Sequence, residues 1–279
     1  MSRLPKVSIL IPVYNREDFV LRALDSALKQ TYAHTEVVVI DNRSTDNTWN
    51  RLLDCAKKDY RIRLFQNEKN LGPFHNWSNG LRQCLGKYVK VLWSDDSIEE
   101  TFVDECVRIL EAREDIALVF SSALIRLADR DISAYHHPQK TIFSSQEYLL
   151  KTILAENMPR SPGCCLLRKK DARFFAFQGK NPRLNEISEK FGAGPDVFFM
   201  LHAASLYPYV SHIPKFLSHF YGNANSFTIA HRQEVEEGYR LLFNHLLNDY
   251  ENTSFRKLKM KIRCALWKKK CKKFLRLNL

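Results

Sequence analysis

The sequence predicts an α/β protein whose first part is a doubly wound, mostly parallel sheet. Three observations lead there. Short apolar runs alternate with segments of helical period through the first 120 residues. Several of these runs are apolar at almost every position, the pattern of strands covered on both faces. Polar clusters at residues 12–15 (PVYN), 41–44 (DNRS) and 94–96 (SDD) follow three of them, at the carboxyl ends where open α/β sheets bind ligands.

The first strand is read at residues 7–11 (VSILI). Asn15 is a cap-type residue, and Glu17 and Asp18 would lie in the first turn of the helix it starts, near the positive end of the dipole. Phe19, Val20, Ala23, Leu24, Ala27 and Leu28 then recur at helical spacing. Residues 36–40 (EVVVI) give the second strand, residues 41–46 a polar turn, and Trp49, Leu52, Leu53 and Ala56 the next helix. Residues 62–65 form the third strand. Residues 70–73 (NLGP) turn into a helix with Phe74, Trp77, Leu81 and Leu85 on one face, and Gly86 is expected to end it in the left-handed conformation. Residues 88–93 are the fourth strand, 102–110 a helix and 116–120 a further strand. The pattern then loosens. Residues 129–145 read as a polar loop, 163–167 as a return strand, 180–195 as a mobile loop, and 196–202 and 233–250 as helices.

Charge is distributed unevenly. Of the net +12, eleven Lys and Arg fall in residues 256–279, which hold no acid; the remainder of the chain carries 32 basic and 31 acidic residues. Met260, Cys264, Trp267, Cys271 and Phe274 form one apolar stripe along that basic segment, as in a helix lying on an anionic membrane surface. A solvated tail and a nucleic-acid contact are the alternatives, and no nucleic-acid motif accompanies it. No apolar run reaches the ~18 residues needed to span a bilayer, and the opening residues do not read as a signal peptide. The seven cysteines include no C-x-x-C pair, so reduced thiols are expected rather than disulfides or zinc.

Several chemistries lack their motif: there is no G-x-G-x-x-G after the first strand, no Walker A lysine, no G-x-S-x-G and no H-E-x-x-H. What remains is carboxylate chemistry. Asp95 and Asp96 at the end of the fourth strand could hold a hard cation, Mn2+ or Mg2+, that also takes diphosphate oxygens. By themselves they fit a helix cap beside a solvated acid better than a metal site.

Five segments occur in a fixed order: VSILIPVYNRE (7–17), VVVIDNRSTDNT (37–48), NLG (70–72), GKYVKVLWSDD (86–96) and GPDVFFML (194–201). This set, spread over roughly the first 230 residues, resembles the inverting nucleotide-sugar glycosyltransferases of family 2, which have the GT-A fold. The resemblance implies that Pro12, Tyr14 and Asn15 border the nucleotide, that Asp41 and Asn42 meet base and ribose, and that Gly163 approaches donor sugar and acceptor. It implies Asp96 as the direct metal ligand, with Asp95 on ribose or metal-bound water, and Trp93 where the family often has a further acid. It implies Asp196 as the catalytic base; an N-cap at position 196 is the structural alternative. His219 and Tyr221 stand where many members contact the phosphates, and depart from the common pattern there.

The implied organisation is a nucleotide-sugar half (residues 1–120), an acceptor and catalytic-base half (121–232) and C-terminal helices with the basic tail (233–279). The implied activity is metal-dependent inverting transfer from a UDP- or dTDP-sugar to a saccharide hydroxyl. The acceptor would be lipid-linked, at the cytosolic face of the inner (plasma) membrane, in surface polysaccharide assembly. A catalytically silent nucleotide-binding assembly factor and a sugar nucleotidyltransferase are the competing readings.

Overall fold

The computed structural model describes residues 4–171, 182–191, 194–222, 231–248 and 258–262. Its first half follows the expected alternation: β1 (Val7–Val13), α1 (Val20–Leu28), β2 (Thr35–Asp41), α2 (Thr48–Ala56), β3 (Ile62–Gln66), α3 (Gly72–Gln83), β4 (Tyr88–Val91), β5 (Ser97–Ile98), α4 (Phe102–Ala112) and β6 (Ile116–Arg126). The second half contributes β7 (Asp131–Ala134), β8 (Ile142–Ser144), α5 (Ser145–Ile153), a 3-10 turn (Pro162–Cys164), β9 (Cys165–Arg168), α6 (Pro182–Phe191), α7 (Pro195–Ser205), β10 (Tyr209–Tyr221) and α8 (Arg232–Asn248).

One sheet runs in the order β3-β2-β1-β4-β9-β6-β10-β5, with β7 paired to β6 and β8 to β10. The β3-β2-β1-β4 block is parallel throughout, and β6 and β10 form a second parallel pair. The antiparallel β9 is inserted between these two blocks. Most of the paired length is therefore parallel, as the continuous apolar runs implied. Successive residues of each central strand serve opposite layers. Ile9, Ile11, Val37 and Val39 pack with α1 and α4 residues such as Leu24 and Phe102. Leu10, Val38, Ile40 and Val91 pack with Trp77 of α3, Tyr148 of α5, Phe199 of α7 and Leu242 of α8.

Several local expectations are corrected. Asn15 does not cap α1: the helix begins at Val20 with no side-chain cap, and Asn15 itself lies at φ 49, turned toward the loop after β2. Gly86 is not left-handed. Glycine is required there because an added Cβ would sit 2.6 Å from the Ser8 nitrogen and 2.7 Å from the Tyr88 carbonyl. α3 stops at Gln83, which leaves Leu85 outside the helix and 64% exposed. The stretch at 129–145 contains β7 and β8, and the stretch at 180–195 contains α6. Both are polar segments ordered by long-range partners, β10 and β6 for the strands and α8 for the helix.

Beside β8, three histidines gather. His136 and His212 both bond the Ser122 hydroxyl at 3.0 Å, and His137 stands edge-on to His212. His212 is buried against Phe120. Of the basic tail, only the helical turn 258–262 lies within the described residues. There Leu258 and Ile262 are buried in the core while Met260 faces out, 75% exposed. Among the described residues no helix is long and apolar enough to cross a membrane, and Cys55, Cys84, Cys106, Cys164 and Cys165 are free thiols.

Candidate active site

The loops after β1 and β2 are joined side chain to backbone. Asn15 Oδ1 accepts from the Thr45 N–H at 2.8 Å, and the Asn15 N–H donates to the Ser44 hydroxyl at 2.9 Å. Glu17 accepts from the Asn47 N–H at 3.1 Å, while the Glu17 N–H reaches Asp46 at 3.2 Å. Asp41 is fully buried, and its carboxylate takes the Ser44 N–H (3.0 Å), the Ser44 hydroxyl (2.5 Å) and the Gln66 amide (2.8 Å). The Asn42 amide is also buried and committed. It donates to Asn70 (2.8 Å) and the Gly72 carbonyl (3.2 Å) and accepts from Asn67 (3.0 Å) and the Leu71 N–H (2.9 Å). Asp41 and Asn42 thus hold the strand-end loops in place, while Pro12, half-buried, and Tyr14, 38% exposed, keep surface open beside them.

The acid pair sits between β4 and β5, as the strand-end pattern required. Asp96 is buried, and its Oδ1 accepts the Tyr221 N–H at 3.1 Å, so β10 closes over it. Burial, and then Asp95 beside it, lift the Asp96 carboxyl well above the usual carboxylate range; the Tyr221 N–H, Lys90 and Arg22 act in the opposite sense. Asp95 is held through its backbone: Arg22 of α1 donates to the Asp95 carbonyl while its guanidinium stacks 3.6 Å over the Tyr221 ring. His219 is clamped between Glu99 (2.6 Å) and Arg126 (3.4 Å). No group of three or more His, Cys, Asp or Glu among the described residues could enclose a metal by itself. The donor set still fits a hard divalent cation. Two adjacent carboxylates, one buried and lacking an ion-pair partner among the described residues, leave further positions for phosphate oxygens and water.

Trp93 turns toward the protein interior. Its indole N–H donates to the Ser161 hydroxyl at 2.8 Å and its ring stands edge-on to Trp77, which in turn meets Phe199 of α7. This aromatic chain ties the acid-bearing end of β4 to the helix carrying Asp196. Gly163, in the 3-10 turn before β9, presses against Trp93 and Phe220. Asp196 is not the N-cap of α7; Gly194 is, at φ 105, a conformation open to glycine. Asp196 lies in the first turn, where Oδ1 accepts the Gly194 N–H (3.1 Å) and Oδ2 the Tyr239 hydroxyl (3.3 Å). Burial raises its carboxyl to about 6, against the pull of those donors. Phe198, Phe199 and His202 are core residues of α7.

Sequence reasoning missed Arg22, Lys90, Glu99 and Arg126. Lys90 had a visible signal, a lone cation between Val89 and Val91 in a buried strand. Arg22, on a helix face otherwise read for its apolar stripe, had none.

A mainly parallel sheet with an acid pair at one strand end is the arrangement of the GT-A class of nucleotide-diphospho-sugar transferase. The profile of Glycosyl transferase family 2 matches residues 8–174, more than half of the chain, and the chain belongs to that family. The chain is 32% identical over 123 residues to a Campylobacter jejuni protein named GalNAc(5)-diNAcBac-PP-undecaprenol beta-1,3-glucosyltransferase, covering 44% of this chain and 39% of that one. The curated relatives that match first are also named glycosyltransferases, and the chain spans well under half of their length. In fold it is similar to S. aureus TarS 1-349 in complex with UDP (TM-score 0.67, 21% identity, 92% of this chain and 70% of that one). It is also similar to the mannosyltransferase PcManGT from Pyrobaculum calidifontis in complex with GDP-Man and Mn2+ (TM-score 0.62, 17% identity, 93% and 69%).

Proposed function

We propose that this chain transfers a sugar from a UDP-sugar, or a dTDP-sugar, to a hydroxyl of a lipid-linked saccharide, with inversion and with Mn2+ or Mg2+, in surface polysaccharide assembly. One observation carries the reading. A carboxyl raised toward neutrality, Asp196, is linked through Phe199, Trp77 and Trp93 to the end of the strand that presents Asp95 and Asp96. A general base needs a proton affinity near the working pH. Asp196 takes the acceptor hydroxyl proton as that oxygen bonds to the anomeric carbon and the bond to the diphosphate breaks. Tyr239 and the Gly194 N–H orient the base. A divalent ion held by Asp96 and Asp95 would offset the charge that builds on the departing diphosphate. Pro12 and Tyr14 offer surface for the base of the nucleotide; Asp41, Asn42 and Asn15 act by fixing the loops that frame it.

The UDP complex of TarS supports the uridine donor, and the undecaprenol-linked substrate in the C. jejuni protein's name supports a lipid-linked acceptor. The basic segment 256–279, outside the described residues except 258–262, would then bring the enzyme to the anionic cytosolic membrane surface. Release of nucleoside diphosphate is measured over a panel of nucleotide sugars with Mn2+, for the wild type and Asp196→Asn. Turnover of one donor, lost in the variant, is expected. Equal background rates across the panel would remove the enzyme reading in favour of a nucleotide-binding assembly factor.

A further inference from the structure

A buried lysine is normally matched by a carboxylate, because an ammonium stripped of water and left unpaired is costly. Lys90 is fully buried in β4 and makes no ion pair among the described residues; Asp96 acts on its charge from beyond ion-pair distance. Its ammonium lies 4.6 Å from the centre of the Phe102 ring, and its hydrogen bond goes to the backbone carbonyl of Gly163. A leucine or methionine would fill the same space without the desolvation cost, so packing alone does not account for a lysine here.

The second contact with that turn comes from the same end of the same strand. Trp93 donates to the Ser161 hydroxyl at 2.8 Å, and the same hydroxyl accepts the Gly163 N–H at 3.3 Å. Both backbone polar groups of Gly163 are thereby occupied, its carbonyl by Lys90 and its N–H by Ser161. A Cβ at this position would lie 2.8 Å from Phe220 and 3.1 Å from Trp93, so the turn lies flush against the strand end. The Gly163 N–H and carbonyl are thus each engaged within the protein, which fixes the position of the turn.

We propose that Lys90 and Trp93 are positioning residues. Together they brace the turn of residues 161–163 against the end of β4, so that this turn and the Asp95-Asp96 pair move as one body. The inference rests on the donor-site reading above for its catalytic consequence, but the brace itself is a property of the free protein. Neither residue touches the loops after β1 and β2 among the contacts described. Loss of the brace should misplace the sugar side of the site and leave the nucleotide side intact.

The test uses the full chain with Lys90→Met, Lys90→Arg and Trp93→Phe, the last keeping an aromatic ring of smaller size and removing the indole donor. Backbone hydrogen exchange across residues 161–165 of the free protein reads the brace directly; it should quicken in Lys90→Met and Trp93→Phe. With the donor that the wild type turns over, kcat should fall about tenfold to a hundredfold in Lys90→Met, as for a displacement of about 1 Å in a reacting geometry. UDP affinity measured without metal, where the loss of the Lys90 charge near Asp96 does not enter, should stay within about twofold, and Lys90→Arg should recover part of kcat. If Lys90→Met does not fold, Trp93→Phe and Lys90→Arg carry the comparison. Unchanged exchange in folded variants, or UDP affinity falling as far as kcat, would overturn the proposal. Quickened exchange in a protein that turns over no nucleotide sugar would retain the brace and reject the function it was meant to serve.

Discussion

Tyr239→Phe isolates the environment of the proposed base. In the wild type, burial raises the Asp196 carboxyl to about 6, and the Tyr239 hydroxyl at 3.3 Å is one of the donors restraining that rise. Burial and the adjacent carboxylate push the Tyr239 phenol well up, so it stays a donor across any practical assay range. Phenylalanine keeps the ring beside Phe243 and removes only the hydroxyl. A hydrogen bond to a charged group contributes about 1.5–3 kcal/mol; a 3.3 Å contact belongs at the low end, about one pH unit. The acidic limb of kcat/KM should move from about 6 to about 7. At pH 6 the ionised fraction falls from about one half to about one tenth, a roughly fivefold loss of rate, whereas above pH 8 the two proteins should agree within about twofold. Initial rates of diphosphate release at low donor concentration, taken every half unit, measure this. A limb coincident with the wild type, or a loss equal at every pH, would refute the assignment of Asp196 as the titrating base.

Asp96→Ala should cost about a hundredfold or more in turnover and abolish the Mn2+ dependence of UDP binding, with Asp95→Ala milder; calorimetry with and without the metal checks both, and the reverse order would undo the ligand assignment. Removing residues 264–279 should abolish binding to anionic liposomes at low salt. Deleting all of 256–279 should also destabilise the fold, because buried Leu258 and Ile262 each contribute about 1.5–3 kcal/mol. Burial, foremost, holds His212 down to about 4, so between about 4 and 6.5 the unfolded chain binds a proton that the folded one refuses. Stability should therefore fall as pH drops through that window, by at most about 3 kcal/mol; urea midpoints at pH 7 and 4.5 should converge for His212→Gln.

The parallel block was legible because its signal is local. Residues 7–11 and 36–40 are apolar enough to specify strands, and Phe74, Trp77 and Leu81 specify the buried face of α3. The acids were legible because a strand end in such a sheet is already a ligand position. What could not be read depended on partners distant in sequence. Asn15 has the chemistry of a cap, yet its amide is taken by Thr45, thirty residues on. β7 and β8 are too short and polar to announce themselves without β6 and β10. Gly86 looked like a helix stop, and the real constraint, close approach to Ser8 and Tyr88, exists only after β1 and β4 pair. Lys90 was visible as an oddity, but its acceptor lies on a turn more than seventy residues away.

The joined loops after β1 and β2 bear on how a nucleotide would be captured. Ordering a free loop residue costs about 1–2 kcal/mol of chain entropy at the moment of binding. Here Asn15, Glu17, Ser44 and Thr45 order both loops against each other through contacts within the protein itself. The nucleotide side should therefore bind as a preformed socket, fast and with little unfavourable entropy from this region. Asn15→Ala would loosen that socket without removing any group offered to the ligand. Its penalty should appear as slower association and a larger entropic loss rather than a weaker binding enthalpy.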